Sequence, residues 1–281
     1  MYIDLIKPLL ALTQQASHAI MDVYAGHVDT KASVKADSSP VTAADIAANT
    51  ILVNGLVGLL ADTPILSEEG VIPTFNIRQH WNRYWLIDPL DGTKEFLDKN
   101  DEFTVNIALI ENGYPVLGVV TLPVSGVSYY GICSGENAGA YRVEHDQLPI
   151  ALHVRDVGDG LDSSCPLKVL VSRHHKNPHE DELAGILSKS FPFIDYVQAG
   201  SSLKFCHVAE GNADFYPRLA PTCEWDTGAA QAIVEAAGGY VVDTRFTRLS
   251  YNTRESLVNP NFYVVGGNLD GWQQRLALFS P

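Results

Sequence analysis

Residues Ile3, Ile6, Leu9, Leu10, Thr13 and Ile20 recur at helical spacing, and Ile46, Ile51, Leu52, Leu56, Leu59 and Leu60 do so again after Thr42. Positions three and four apart share one face of a helix, so the pattern predicts two amphipathic helices opening the chain. Between them Lys31 to Pro40 is polar and rich in Ser, which reads as a loop that could serve as a lid. From Tyr84 the apolar stretches shorten to strand length: Tyr84 to Ile87, Phe103 to Ile110, Val116 to Val120, Val127 to Ile132 and Ala140 to Val143. Turn signals at Asn112-Gly113 and Ser125-Gly126 separate them and predict a largely antiparallel sheet.

Arg155 to Pro166, with its Gly, Pro, Asp and Ser, is the expected boundary between two lobes, 1–155 and 156–281. Beyond it strand and helix alternate. Strands are expected at Lys168 to Ser172, Phe193 to Val197, Asp214 to Tyr216, Tyr240 to Val242 and Phe262 to Val265. Helices are expected near Glu180 to Lys189, from Ser202, from near Asp226 and from Asp270. This alternation predicts an α/β second lobe. No internal repeat or low-complexity tract interrupts the pattern.

Composition narrows the class of function. With 46% hydrophobic and 19% charged residues in 281, the chain has the makings of a large core. Its net charge of −14 repels a phosphate backbone and offers no polybasic face to anionic lipid, which argues against nucleic acid polymers and a membrane surface as partners. Cys133, Cys165, Cys206 and Cys223 are widely spaced, which fits thiols in a reducing compartment better than a zinc site or a disulfide framework. The apolar patch at Leu9 to Leu12 is too short for a signal-peptide core, and no apolar run is long enough to cross a bilayer, so a cytoplasmic location is expected.

Chemistry concentrates in Trp85-Leu-Ile-Asp88-Pro89-Leu90-Asp91-Gly92-Thr93, where an apolar strand ends in two aspartates, Pro and Gly impose a turn, and Thr93 is placed to cap a following helix. Carboxylates at a strand end beside a helix start can bring a divalent cation and a phosphate together, although an isolated Asp-Gly-Thr is as readily a capped turn. An EF-hand loop counted from Asp88 fails, because Leu90 and Lys99 stand where oxygen ligands are required. A phosphoaspartate mechanism also fails, because Pro89 stands where the nucleophilic Asp would be. Two more acidic elements could join such a site: Ser67-Glu68-Glu69-Gly70 after a short strand, and Trp225-Asp226-Thr227-Gly228 at the head of an Ala-rich helix. Each on its own is equally a solvated turn or a helix cap.

Taken together, Val41-Thr42-Ala43-Ala44-Asp45, Ser67-Glu68-Glu69-Gly70, Asp88-Pro89-Leu90-Asp91-Gly92-Thr93 and Trp225-Asp226-Thr227-Gly228-Ala229 resemble, in order and separation, the inositol monophosphatase superfamily of metal-dependent, lithium-sensitive phosphatases. Ala199 to Cys206 and Ala209 to Arg218 are similar to the bacterial CysQ-type branch, the 3′(2′),5′-bisphosphate nucleotidases, which remove the 3′ phosphate of adenosine 3′,5′-bisphosphate, a by-product of sulfate assimilation. The resemblance implies a layered αβαβα sandwich and a small-molecule nucleotide substrate. It further implies a monomer or homodimer, cytoplasmic or peripheral at the inner membrane. The alternatives are the same chemistry on an inositol or sugar phosphate, and a catalytically silent metal- or nucleotide-binding protein.

Carried over by resemblance, Glu68, Asp88 and the carbonyl of Leu90 would hold one Mg²⁺, and Asp88, Asp91 and Asp226 a second, with a third ion sharing Glu68. Independently of the family, clustered carboxylates repel a phosphate ester unless cations reverse the local field. Asp45 and Thr93 are implied as the pair that orients and deprotonates the attacking water. The N–H groups of Gly92 and Thr93 would take phosphate oxygens. Ser201, Lys204 and Arg218 are expected to contact substrate, the two cations at the phosphate that is not cleaved. In Ser172-Arg173-His174-His175 the chain departs from the related Ser-Arg-Ser-His pattern, so either His174 or His175 faces substrate, and His175 is the expected adenine contact. Cys206 is expected to pack in the core.

Overall fold

A computed structural model describes residues 2–27, 33–34, 40–144, 147–157, 165–172, 179–277 and 279. Most of the expected lid and both His174 and His175 lie outside the described residues. Helix α1 (Ile3–Tyr24) buries Ile6, Leu9, Thr13 and Ile20 of the expected stripe, together with Leu12, Ala16 and Val23, whereas Ile3 in its open first turn is exposed and Leu10 half-buried. In the segment read as a loop, β1 (Ser33–Val34) pairs antiparallel with β2 (Pro40–Val41). Helix α2 (Ala43–Leu59) starts from Thr42, whose hydroxyl accepts from Ala44 N while Asp45 Oδ2 accepts from Thr42 N, a reciprocal cap.

The chain then lays down β3 (Ile65–Ser67), the single turn α3 (Phe75–Arg78), β4 (Arg83–Asp91) and the short α4 (Thr93–Leu97). Strands β5 (Thr104–Glu111), β6 (Tyr114–Thr121), β7 (Val127–Ile132), β8 (Gly139–Glu144) and β9 (Ile150–Leu152) complete a seven-stranded sheet in the order β3 to β9. Only the β3–β4 pair is parallel within it. Neither α3 nor β9 was expected, since each is too short to show a period.

After residue 165 follow β10 (Leu167–Val171), α5 (His179–Ser190), β11 (Ile194–Gln198), α6 (Leu203–Ala209) and β12 (Phe215–Arg218). A single 3₁₀ turn at Glu224–Asp226, α7 (Gly228–Ala236), β13 (Tyr240–Asp243), β14 (Phe262–Val265) and α8 (Leu269–Leu276) close the chain. The five strands form a mixed sheet ordered β11-β10-β12-β14-β13. The helix expected from Asp226 therefore begins two residues later, because Asp226 turns its own carboxylate back onto Cys223 N and ends a tighter turn.

Three cores define the layers. One lies between α1 and α2 and the large sheet, one between the two sheets around α6 and α7, and one between the small sheet and α5 and α8. The result is the αβαβα sandwich. The middle layer seats unusually close: Gly118 and Gly131 face each other across β6 and β7, and a Cβ at Gly118 would lie 2.1 Å from Ala229 O, one at Gly131 2.6 Å from Ala232 O. Two glycines side by side thus let the backbone of α7 rest on the sheet, which fixes the height of the 3₁₀ turn at its head. No described helix is long and apolar enough to cross a membrane, and none of the four cysteines is in a disulfide.

Candidate active site

Residues three apart in a regular strand point to opposite faces. Asp88 and Asp91 nevertheless line the same cavity, because β4 slips in register against β5 between them. Leu90 N donates to Asp88 Oδ1 at 3.0 Å within this irregularity. The strand runs on through Pro89, and the sharp turn falls at Gly92, whose φ of 95° is left-handed and which stands as the N-cap of α4. Thr93, expected as the cap, is instead the first helical residue and directs its hydroxyl to Asp45 Oδ1, 3.4 Å away. Asp45 Oδ2 is held by Thr42 N at 2.7 Å and Thr42 Oγ1 at 2.6 Å.

Parallel pairing of β3 with β4 sets Ser67 opposite Ile87, and Glu68 N donates to Ile87 O, so Glu68 arrives beside Asp88. From the other half of the chain, the 3₁₀ turn brings in Asp226. Carboxylate oxygens of Glu68, Asp88 and Asp226 lie within 4.8 Å of one another. Asp91 completes the cluster electrostatically, with its Oδ2 turned to Ser202 N at 2.6 Å. Burial pushes the Asp88 carboxyl well above the usual range, and Glu68, Asp91 and Asp226 push the same way. Burial, then Asp91 and Glu68, do likewise to Asp226. For Asp91 burial raises the pKa while Lys204 and the Ser202 N–H oppose it. Asp88, buried, and Glu68, Asp91 and Asp226, half-buried, are gathered at one point and offer only hard oxygen donors, which fits a divalent cation of the Mg²⁺ type.

The cavity, about 320 Å³, is also lined by Leu90, Gly92, Thr93, Ser201, Lys204 and Arg218. Asp45 stands behind Thr93. Lys204 is buried on α6, its Nζ donating to Ser201 O at 2.7 Å and Ala199 O at 3.3 Å, and burial pushes its pKa down to about 8. Ser201 adopts a φ of 40°, rare for a residue with a side chain. Arg218, the last residue of β12, donates from Nε to Ala220 O and from Nη2 to Pro221 O, both at 3.0 Å. Sequence reading passed over Ser202, Thr104 and Asn106. Thr104 and Asn106 carry a signal in retrospect: two polar residues on one face of the otherwise apolar, fully buried stretch of β5. Cys206 is buried, and burial raises its thiol pKa, as expected for packing.

The sequence profile of the inositol monophosphatase family matches residues 4–275. A protein of Salmonella typhimurium named 3′(2′),5′-bisphosphate nucleotidase CysQ is 47% identical over 261 residues, 93% of this chain and 99% of its own length. The protein of that name from Escherichia coli K12 is 45% identical over 260 residues, 92% of this chain and 99% of its own. Among solved structures, CysQ from Bacteroides thetaiotaomicron superposes with a TM-score of 0.77 at 36% identity, covering 93% of this chain and 97% of its own.

Proposed function

This chain belongs to the inositol monophosphatase family, and from that premise we propose that it hydrolyses the 3′ phosphate of adenosine 3′,5′-bisphosphate, or of its sulfated analogue, to the 5′ nucleotide and phosphate. The observation that carries the reading is the union, in one cavity, of the acidic cluster with Lys204 and Arg218, in a chain 45% to 47% identical along nearly its whole length to proteins named 3′(2′),5′-bisphosphate nucleotidase CysQ. An acidic cluster suits any phosphate monoester once cations are bound. A basic pair beside it suits a substrate with a second phosphate.

Glu68, Asp88 and the Leu90 carbonyl would hold one Mg²⁺, Asp88, Asp91 and Asp226 a second, and Glu68 would share in a third. When bound, the ions supply the positive field that offsets carboxylates and phosphate and that acidifies water. The chain's own groups do the rest. Thr93 Oγ1 accepts a proton from the attacking water and passes its own to Asp45 Oδ1. The two Thr42 hydrogen bonds on Oδ2 hold the Asp45 carboxylate in place to receive it. Backbone N–H groups of Gly92 and Thr93 would meet phosphate oxygens. The water oxygen bonds to phosphorus, the bond to the 3′ oxygen breaks, and that oxygen takes up a proton as the ribose hydroxyl. Ser201 and Lys204 contact substrate, and Arg218 takes the 5′ phosphate. Both substrate and charge suit a cytoplasmic enzyme.

Phosphate release from adenosine 3′,5′-bisphosphate, measured beside inositol 1-phosphate at the same Mg²⁺, tests the reading. Preference for the bisphosphate is expected. Preference for inositol phosphate would move the chain to the sugar phosphatase reading.

A further inference from the structure

Asp91 is gripped from the other half of the chain. Its Oδ2 accepts from Ser202 N at 2.6 Å, which leaves Oδ1 for a ligand. The Ser202 hydroxyl, buried, touches two further buried side chains: Thr104 Oγ1 at 2.7 Å and Asn106 Oδ1 at 2.9 Å. Each hydroxyl has one proton to give. Asn106 Oδ1 can only accept, so Ser202 donates to it, and Thr104 donates to Ser202. The 3.4 Å approach of Thr104 to Asp91 Oδ2 then carries no proton.

This direction has a consequence for Asn106. With Oδ1 accepting from Ser202, Nδ2 is turned the other way. Asn106 lies directly across the ladder from Asp88, and Ser202, whose hydroxyl meets its Oδ1, also holds Asp91 through its own N–H, so the amide lies beside these carboxylates. Yet Nδ2 is buried without a hydrogen-bond partner. A buried donor left unmade is costly, so its natural acceptor is a carboxylate of the cluster beside it. The flipped amide would set a carbonyl oxygen against the same carboxylates.

We infer that Asn106 is a positioning residue for the Asp88 and Asp91 carboxylates, and that Ser202 acts through it by fixing which end of the amide faces the acidic cluster. The inference rests on the metal centre proposed above. Groups that hold ligand carboxylates typically change metal affinity tenfold or more when removed.

The test is a titration of Mn²⁺, an oxygen-loving dication visible by electron paramagnetic resonance, into the substrate-free full-length chain, with melting temperatures of the metal-free proteins taken alongside. Ser202→Ala keeps the backbone N–H on Asp91 and removes only the pin; Asn106→Leu removes the amide at similar volume. Each is expected to raise the Mn²⁺ dissociation constant about tenfold. The double variant is expected to be no weaker than Asn106→Leu alone, because one residue works through the other. Ser202→Thr, which keeps the hydroxyl, is expected to restore binding. Unchanged affinity in either single variant, losses that multiply in the double variant, or losses accompanied by a matching fall in metal-free melting temperature would each overturn it. A wild-type chain that binds no Mn²⁺ would overturn the metal centre itself, and this inference with it, whereas binding without nucleotidase activity would leave the inference standing and remove only the substrate assignment.

Discussion

The hydroxyl of Thr93 lies 3.4 Å from Asp45 Oδ1, joining the first residue of α4 to the first turn of α2 across 48 residues of sequence. The distance is long for a hydrogen bond, as such contacts often are before substrate binds. Because proton removal from water matters only in the transition state, Thr93→Ala should lower kcat much more than it raises KM. A loss of about a hundredfold or more in kcat is expected from steady-state kinetics. A change confined to KM would make Thr93 a binding residue only.

Asp91→Asn should leave the fold intact, since the amide oxygen can still accept from Ser202 N. Turnover at millimolar Mg²⁺ should nearly vanish, because a neutral amide is a weaker ligand for a hard cation than a carboxylate. Circular dichroism and phosphate release on the same preparation separate the two effects. Near wild-type turnover would take Asp91 out of the centre.

The raised carboxyls of Asp88 and Asp226 give the metal-free protein an unusual pH profile, since both are pushed above their ordinary values, first by burial and then by neighbouring acids. Glu224, buried and pushed up to about 7, adds to it. A carboxyl whose folded pKa is raised binds its proton more tightly when folded, so its contribution is fully present below about pH 4 and is lost as pH rises through the folded value. Without metal, the melting temperature should therefore fall between pH 5 and pH 8. Saturating Mg²⁺ should remove most of that fall, because the cation binds the ionised cluster. A flat metal-free profile would show that these acids are not destabilised by one another.

The seat of α7 on the large sheet makes a different kind of prediction. Gly118→Ala would drive a methyl group into the Ala229 carbonyl, 2.1 Å away, and backbone cannot yield as a side chain can. Overpacking of this kind costs about 1–3 kcal/mol or more. Asp226 stands at the head of the displaced helix, so activity should fall beyond the loss of folded protein. Denaturant unfolding and specific activity per folded molecule would measure both.

Much of this was legible in the sequence because it is local. The stripe of α1, the strands between residues 83 and 144, and the order of acidic motifs each depend on neighbours a few residues apart. Thr93 was misread as a cap because a Thr after Asp-Gly usually serves as one; the left-handed Gly92 takes the position, and the Thr hydroxyl is released to a partner 48 residues away. Ser202 was passed over for the same physical reason: its partners Asp91, Thr104 and Asn106 lie 111, 98 and 96 residues from it, and no local period encodes them. The slip in β4 was equally hidden, since two aspartates three apart give no sign that a bulge will turn them to one side.

Arg218 separates the two substrate readings. The carbonyls of Ala220 and Pro221 hold its guanidinium on the loop that follows β12, within the cavity that contains the acidic cluster. A phosphate that is not cleaved offers binding energy remote from the reaction, and Arg is suited to meet it with two parallel N–H donors. Arg218→Glu replaces that attraction with repulsion, so kcat/KM for adenosine 3′,5′-bisphosphate should fall about a hundredfold or more, the scale of a charged hydrogen-bonded partner. The substitution also breaks the two bonds to the loop, and any damage from that source falls equally on all substrates. A monophosphate lacking the 5′ group therefore serves as the internal control and should lose far less. Equal losses on both would mean that Arg218 only holds its loop, and an unchanged bisphosphate rate would mean that the second phosphate is read elsewhere.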